Sequence, residues 1–247
     1  MKKGVGMVRS FKKLSILGLL VALLMAAGCG NDEKVEVPKK SVTVIDGDTI
    51  KIKLKNKEET VRLLLVDTPE TNHPQLGKQP LGEEATAFTK QLIEKANQIE
   101  LEKEENKRDK YGRFLAYVHV DGKLLQEELV KNGFARVAYV DDPKAKYLED
   151  LNQAQKEAER KKAGIWQWDS YVQKNGFKVE SLQDETNIFV ASKNSDVYHP
   201  IGCEAVKDIK PDNIIYYYSE QDAMKDKRKR SQVKECWDRY HELMMGR

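Results

Sequence analysis

The sequence predicts an α+β fold, because two apolar periods occur in one chain and turn pairs punctuate both. Ile50, Ile52 and Leu54 alternate with Lys51, Lys53 and Lys55, the pattern of a strand with one buried face. Ala85, Phe88 and Leu92 instead recur at steps of three and four, the spacing of one helix face. At 247 residues, 34% of them charged, the chain has room for one ordinary water-facing domain and a smaller second one.

The N-terminus stands apart. Lys2, Lys3, Arg9, Lys12 and Lys13 precede an apolar run from Leu14 to Ala27. The run is shorter than the roughly 20 residues a spanning helix needs, so residues 1–29 read as a secretory leader, with a transmembrane anchor as the alternative. Ala26, Ala27 and Gly28 before Cys29 resemble the lipobox of bacterial lipoproteins, although Ala26 stands where leucine is usual. Cys29 is therefore expected to carry lipid and to anchor an extracytoplasmic protein at the membrane; plain secretion after an Ala-x-Ala-like site is the alternative. Removing the leader takes away those five cationic side chains and no acids, which turns a formal net charge of +3 into −2. Global charge then gives no pull toward a polyanion, and any phosphate affinity has to come from placed cations, metal or local patches.

Gly30 to Lys40 is polar and without apolar period, and reads as a flexible tether over residues 30–40. The main domain is expected over residues 41–170. Asp46-Gly47 and Asn56-Lys57 mark turns around the first strand, and a second apolar run, Val61 to Val66, leads into a Pro- and Gly-containing loop from Thr68 to Leu81. After the helix carrying Ala85 to Leu92, strands return at Gln98 to Glu102 and Arg113 to Val120, the latter closed by Asp121-Gly122. Leu125 and Leu129 share a face of a short helix, Leu124 to Asn132, that stops at Gly133. Ala135 to Val140 reads as a strand. Lys144 to Lys162 reads as a helix with Tyr147, Leu148, Leu151, Ala154 and Ala158 inward. Five strands and three helices suit a closed β-barrel flanked by helices, of which the OB-fold is the common small example. Residues 171–186 are polar and read as a linker to a small α/β module over residues 187–247.

Three clusters could carry chemistry: Asp46-Gly47-Asp48-Thr49, Arg62 through Glu70, and Asp109-Lys110-Tyr111-Gly112-Arg113. Each also has a purely structural reading as a turn or strand exit. Arg62 is less easily explained, since it shares a strand face with Leu64 and Val66 and is drawn inward with a permanent charge. It needs Asp48 or Asp67 as a structural partner, or a bound phosphate. Carboxylates such as Asp48 and Asp67 suit calcium, and no Cys or His cluster competes for a softer metal. Two arginines can fork onto one phosphate, and Glu70 can accept a proton from water. Together these types suit phosphodiester hydrolysis.

Ile45-Asp46-Gly47-Asp48-Thr49, Arg62-Leu63-Leu64-Leu65-Val66-Asp67-Thr68-Pro69-Glu70-Thr71, Asp109-Lys110-Tyr111-Gly112-Arg113 and Val137-Ala138-Tyr139-Val140 resemble the staphylococcal nuclease (thermonuclease) family in order and approximate spacing. The similarity runs through most of Ser41 to Trp168. The resemblance implies a five-stranded OB-type barrel with three helices, and a calcium-dependent endonuclease acting on DNA and RNA. It implies calcium on the Asp48 and Asp67 side chains and the Thr68 carbonyl, with Asp46 just outside. Arg62 and Arg113 would hold the scissile phosphate and Glu70 would act as general base. Lys110 and Tyr111 would contact a nucleotide phosphate, and Tyr139 would line the base pocket. The family has a second tyrosine two residues after the position of Tyr139, where this chain has Asp141, a difference that bears on nucleotide affinity and base preference and not on the hydrolytic machinery. The chain is expected to act as a monomer. A binding-only module on the same barrel is the main competing function, and a calcium-bound surface adhesin is another.

In the C-terminal part, Val190 to His199, Cys203, Ile209 to Asn213 and Cys236 resemble a small Ada-like metal-binding module, although Trp237, Asp238 and Arg239 follow where a Cys-x-x-Cys ending is usual. His199, Cys203, Cys236 and His241 could supply four zinc ligands. A Cys203 to Cys236 disulfide is the simpler expectation in an oxidising compartment. Lys225, Lys227, Arg228, Lys229 and Arg230 form a basic run, read either as a solvated face or as a site for DNA or wall polymer.

Overall fold

Alternating apolar residues build one large sheet. The computed structural model describes residues 34–54, 57–73 and 77–246, the side chains of residue 54 and residues 103–107 excepted. The expected leader, Cys29 and the Asn56 half of the expected turn lie outside the described residues. The strands are β1 (Lys34–Glu36), β2 (Val42–Asp46), β3 (Thr49–Leu54), β4 (Lys57–Leu63), β5 (Val66–Asp67), β6 (Ile99–Arg108), β7 (Phe114–Val120) and β8 (Lys123–Leu124). They pair in the order β1-β6-β7-β4-β3-β2, with β8 beside β7, and β5 stays outside this sheet. Within the sheet β4 and β7 run parallel, and the remaining pairs are antiparallel. Helices α1 (Gly82–Lys95), α2 (Leu125–Lys131) and α3 (Leu148–Arg160) cover it. Ile50, Leu63, Ile99, Leu101, Leu125 and Leu151 are fully buried in the shared core, each contributing about 1.5–3 kcal/mol of burial. The result is a mixed α+β fold consistent with an OB-type barrel.

Four expectations change. The run Val61 to Val66 is broken at Leu65, whose φ of 63° turns the chain so that β5 leaves the sheet. Only β9 (Arg136–Val137) of the expected strand Ala135 to Val140 is extended, and it pairs with β5. The tether expected over residues 30–40 is ordered from Lys34, because Val35 pairs with Leu101 and Val37 is buried, its N–H donating to the Ile99 carbonyl at 2.8 Å. The linker expected over residues 171–186 is a packed joint, because Tyr171 and Leu182 are fully buried and Val172, Phe177 and Val179 pack against the same core.

The end of α2 follows the sequence, whereas α3, expected from Lys144, begins only at Leu148, after Tyr147 takes φ 65°. Gly133 takes φ 71° and the Phe134 N–H reaches back to the Leu129 carbonyl at 2.9 Å, closing α2. A Cβ on Gly133 would sit 2.2 Å from the Ala163 carbonyl oxygen, so this position has no room for a side chain.

The C-terminal part opens with a hairpin of β10 (Val172–Gln173) and β11 (Gly176–Phe177). A four-stranded sheet follows, built from β12 (Phe189–Ser192), β13 (Val197–Pro200), β14 (Ile214–Tyr217) and β15 (Lys229–Arg230) in the order β14-β12-β13-β15. Helices α4 (Glu220–Lys225) and α5 (Lys234–Met245) complete it. Cys203 and Cys236 are joined in a disulfide with Cα atoms 4.8 Å apart. With both sulfurs in that bond, the zinc alternative lacks its two thiolates. Lys34–Arg247 forms one compact unit, and no helix among the described residues is long and apolar enough to cross a membrane.

Candidate active site

The tight β2–β3 turn brings the first acidic cluster to the end of the sheet. Asp46 pairs with Thr49 across the turn, and the Asp48 N–H donates to Asp46 Oδ1 at 3.2 Å. Gly47 lies against Thr68 and α1, where a Cβ would be 2.8 Å from Thr68 Oγ1. Next to it in the sheet, Arg62 stands opposite Thr49 and is 8% exposed. Its Nη1 donates to the Val66 carbonyl at 2.9 Å, and its Nη2 reaches Asp48 Oδ2 at 2.9 Å and Asp67 Oδ1 at 3.3 Å. The structural partner and the two-carboxylate centre expected from the sequence are thus one arrangement.

Asp48 and Asp67 are each held by further donors. The Thr68 N–H and Oγ1 donate to Asp48 Oδ2 at 2.8 and 3.1 Å. Asp67 Oδ2 accepts from Arg136 Nε at 3.0 Å and Nη2 at 2.8 Å, and Asp67 Oδ1 accepts from the Tyr139 hydroxyl at 3.3 Å. Arg136 was not among the residues expected from the sequence. Its only signal there was a charged residue within a short apolar strand. Leu65 and Tyr139, with φ of 63° and 55°, flank the β5–β9 pair that presents Asp67, and strained backbone of this kind persists where surrounding contacts over-determine it.

Burial and mutual repulsion dominate the electrostatics. Burial, reinforced by Asp48 and Glu70, pushes the Asp46 carboxyl up to about 7. Burial and then Asp48 also raise Asp67, against the pull of Arg136 and Arg62, and the same two causes raise Glu70. Burial alone would lower Arg62, but Asp48 and Asp67 outweigh it and hold the guanidinium above its ordinary value. Four carboxylates in electrostatic contact are the charge crowding that a cation relieves. Among the described residues no three His, Cys, Asp or Glu side chains form a ready cage. Asp48 and Asp67 would therefore need carbonyl oxygen and water to complete the 6–8 oxygen ligands of calcium, a mixture that ion accepts. The donor set fits a hard cation.

The cation-rich side of the site is a cleft of about 490 Å³, and Arg62, Arg108, Lys110, Tyr111, Arg113 and Tyr139 line it. Asp109 shapes the loop: its Oδ1 accepts the Tyr111 and Arg113 N–H groups, each at 2.9 Å, and its Oδ2 accepts from Arg113 Nε. Tyr111 and Tyr139 are 72% and 66% exposed, so each presents surface to a ligand. Arg62 lies 5.4 Å from the Tyr139 ring and Arg113 5.3 Å from the Tyr111 ring. Asp141 also lines this cleft. Glu70 is half-buried beside Asp48 and Asp67 rather than in the cleft wall. Two guanidiniums, two aromatic faces and a carboxylate centre thus meet at one end of the sheet, an arrangement suited to an extended anion with flat bases.

A family model described as staphylococcal nuclease homologue matches residues 60–168. The thermonuclease of Staphylococcus hyicus is 42% identical over 142 residues, which span 57% of this chain and 81% of that relative. The chain belongs to the staphylococcal nuclease family. The thermonuclease of Staphylococcus intermedius is 45% identical over 125 residues, 50% of this chain and 73% of the relative. Endonuclease YncB of Bacillus subtilis is 50% identical over 134 residues, 54% of this chain, and the match spans 63% of that relative's length. The family match ends at residue 168, so β10 and everything after it fall outside it.

The basic run of the C-terminal part is largely neutralised within the fold. Lys225 pairs with Asp222 at 3.0 Å, Arg228 with Asp226 at 3.1 Å, Lys229 with Asp196 at 3.4 Å, and Arg230 with Glu220. The surface there carries mixed charge, which favours the solvated-face reading.

Proposed function

We propose that the protein is an extracytoplasmic, calcium-dependent nuclease that hydrolyses phosphodiester bonds of DNA and RNA. The observation that carries this reading is the convergence of Arg62 and Arg113 on one cleft beside the Asp46, Asp48, Asp67 and Glu70 carboxylates. Calcium, when bound by Asp48, Asp67 and the Thr68 carbonyl with Asp46 behind them, supplies positive charge to the phosphoryl oxygens. Arg62 and Arg113 donate to the same phosphate and grip harder as its charge grows. Glu70, raised by burial, accepts the proton of the attacking water. Lys110 and Tyr111 hold a neighbouring phosphate, and the Tyr139 ring gives a base a face to stack on. Asp141, on the wall of the same cleft, opposes an approaching phosphate and weakens nucleotide affinity. The named activities of the relatives, endonuclease and thermonuclease, support the reading.

Cleavage of DNA and RNA by the purified monomeric protein, with calcium or with excess chelator, tests it. Full cleavage in chelator refutes the calcium role, and absence of cleavage with intact nucleic-acid binding favours a binding-only module. We further propose that Cys29 is lipidated and anchors the protein to the membrane. Cys29→Ala should release it from the membrane fraction or leave its precursor unprocessed; unchanged attachment refutes lipidation.

A further inference from the structure

Five consecutive residues closing the Glu70 loop are each held by the C-terminal part of the chain. Gly77 packs so closely on Pro211 that a Cβ there would sit 2.7 Å from the proline Cβ. The Lys78 carbonyl accepts from the Tyr216 hydroxyl at 3.2 Å, and Gln79 Nε2 donates to the Phe177 carbonyl at 3.3 Å. The Pro80 carbonyl accepts from the Tyr171 hydroxyl at 2.7 Å. The Leu81 N–H donates to the Tyr218 hydroxyl at 2.6 Å, and its side chain is buried in the C-terminal core beside Trp168 and Tyr171.

Gln79 passes this grip on to Glu70. The Glu70 N–H donates to Gln79 Oε1 at 2.9 Å, and the Gln79 N–H donates to the Glu70 carbonyl at 2.9 Å. One side chain, 4% exposed, therefore bonds the backbone of the acidic residue on one side and the β10–β11 hairpin on the other. The same hairpin reaches the metal-ligand side of the site. Arg136, which holds Asp67 with two donors, gives its Nη1 to the Lys174 carbonyl at 3.1 Å and lies 5.9 Å over the Phe177 ring.

From these contacts we propose that the C-terminal part, outside the family match, is a brace for catalysis, and that Gln79 is a positioning residue that sets Glu70 through its backbone. The proposal rests on the assignment of Glu70 as proton acceptor. Displacing a reacting group by about 1 Å costs on the order of 100-fold in rate, so a loop clamped along its closing limb is worth more to turnover than to global stability. Binding of nucleic acid depends on the cleft residues, which none of the five clamped residues supplies.

The test compares Gln79→Met, Tyr218→Phe and Glu70→Gln in the full protein, using steady-state DNA cleavage in calcium and thermal melts. Gln79→Met keeps the length of the side chain and removes both of its bonds. The expected result is a fall in kcat of about 10- to 100-fold, with KM for DNA and the calcium half-saturation within about twofold. Tyr218→Phe, remote from the site, should lower kcat in the same direction by a smaller factor, and it serves if Gln79→Met fails to fold. Because Gln79 acts through Glu70, Gln79→Met should cost nothing further in the Glu70→Gln background. Glu70→Gln impaired while folded Gln79→Met and Tyr218→Phe keep normal kcat overturns the brace alone. Additive losses in the double variant also overturn it. Glu70→Gln with normal kcat overturns the assignment of Glu70, and the brace with it.

Discussion

Arg113→Lys separates phosphate gripping from folding. The Arg113 side chain is 30% exposed and its ion partner is Asp109. The loop itself is fixed by the Tyr111 and Arg113 N–H groups donating to Asp109 Oδ1, contacts that a lysine keeps. The pair is part-buried, but a lysine keeps the charge beside Asp109, so the loss should not exceed about 1 kcal/mol and the melting temperature should fall by no more than about 4 °C. Turnover should respond quite differently. A lysine keeps the charge but loses the planar pair of donors, and one lost transition-state contact of about 3–4 kcal/mol lowers the rate by roughly 100- to 1,000-fold. Initial rates on linear DNA in calcium, measured beside melts and a calcium titration, read both effects. A folded, calcium-responsive Arg113→Lys protein with near-normal turnover refutes the assigned role.

Arg62→Lys should lose both turnover and stability, because one buried ammonium cannot replace donors to two carboxylates and to the Val66 carbonyl; a loss of about 3–5 kcal/mol by denaturant unfolding is expected, and an unchanged midpoint refutes the buried hub. Asp46, raised to about 7 in the folded protein, favours folding below its unfolded value near 3.8 and loses that contribution as pH rises through about 7. In chelator, the stability of Asp46→Asn relative to the parent should therefore grow between pH 4.5 and pH 8, and a flat difference refutes the shift. Cys236→Ala removes a link across a sequence separation of 33 and should cost about 3–4 kcal/mol; thiol titration with melts checks it, and unchanged stability refutes it.

Local pattern made most of the fold legible. Ile50 and Ile52 alternate with lysines and are buried, Leu125 and Leu129 turn one helix face to the core, and Gly133 ends that helix as its lack of a side chain allows. The break at Leu65 was not legible, because an apolar run shows burial but not the positive φ that redirects it. Nor was the joint at residues 171–186, where Tyr171, Val172, Phe177, Val179 and Leu182 keep no regular period yet fill a core supplied by distant segments. In the site, the acidic and basic clusters announced themselves by residue type. Arg136 and Gln79 did not, since the partners that give them meaning lie 69 residues away at Asp67 and 98 residues away at Phe177.

Arg136 adds a second buried guanidinium to the charge of the site. Asp46, Asp48, Asp67 and Glu70 stand against the buried guanidiniums of Arg62 and Arg136, an excess of acid that burial makes costly and that lifts Asp46, Asp67 and Glu70 together. The cleft wall itself carries more cations than acids, Arg62, Arg108, Lys110 and Arg113 against Asp109 and Asp141, although residues 29–247 together have a formal net charge of −2. A phosphate drawn to that wall meets repulsion where it lies beside the Asp46, Asp48, Asp67 and Glu70 carboxylates. Arg62 cannot offset this alone, because its Nη2 is already bonded to Asp48 and Asp67. A divalent cation held by those carboxylates would offset the repulsion and weaken their hold on the Arg62 guanidinium. Cation and substrate should therefore each raise the affinity of the site for the other, a reciprocity that linkage requires of any such coupling.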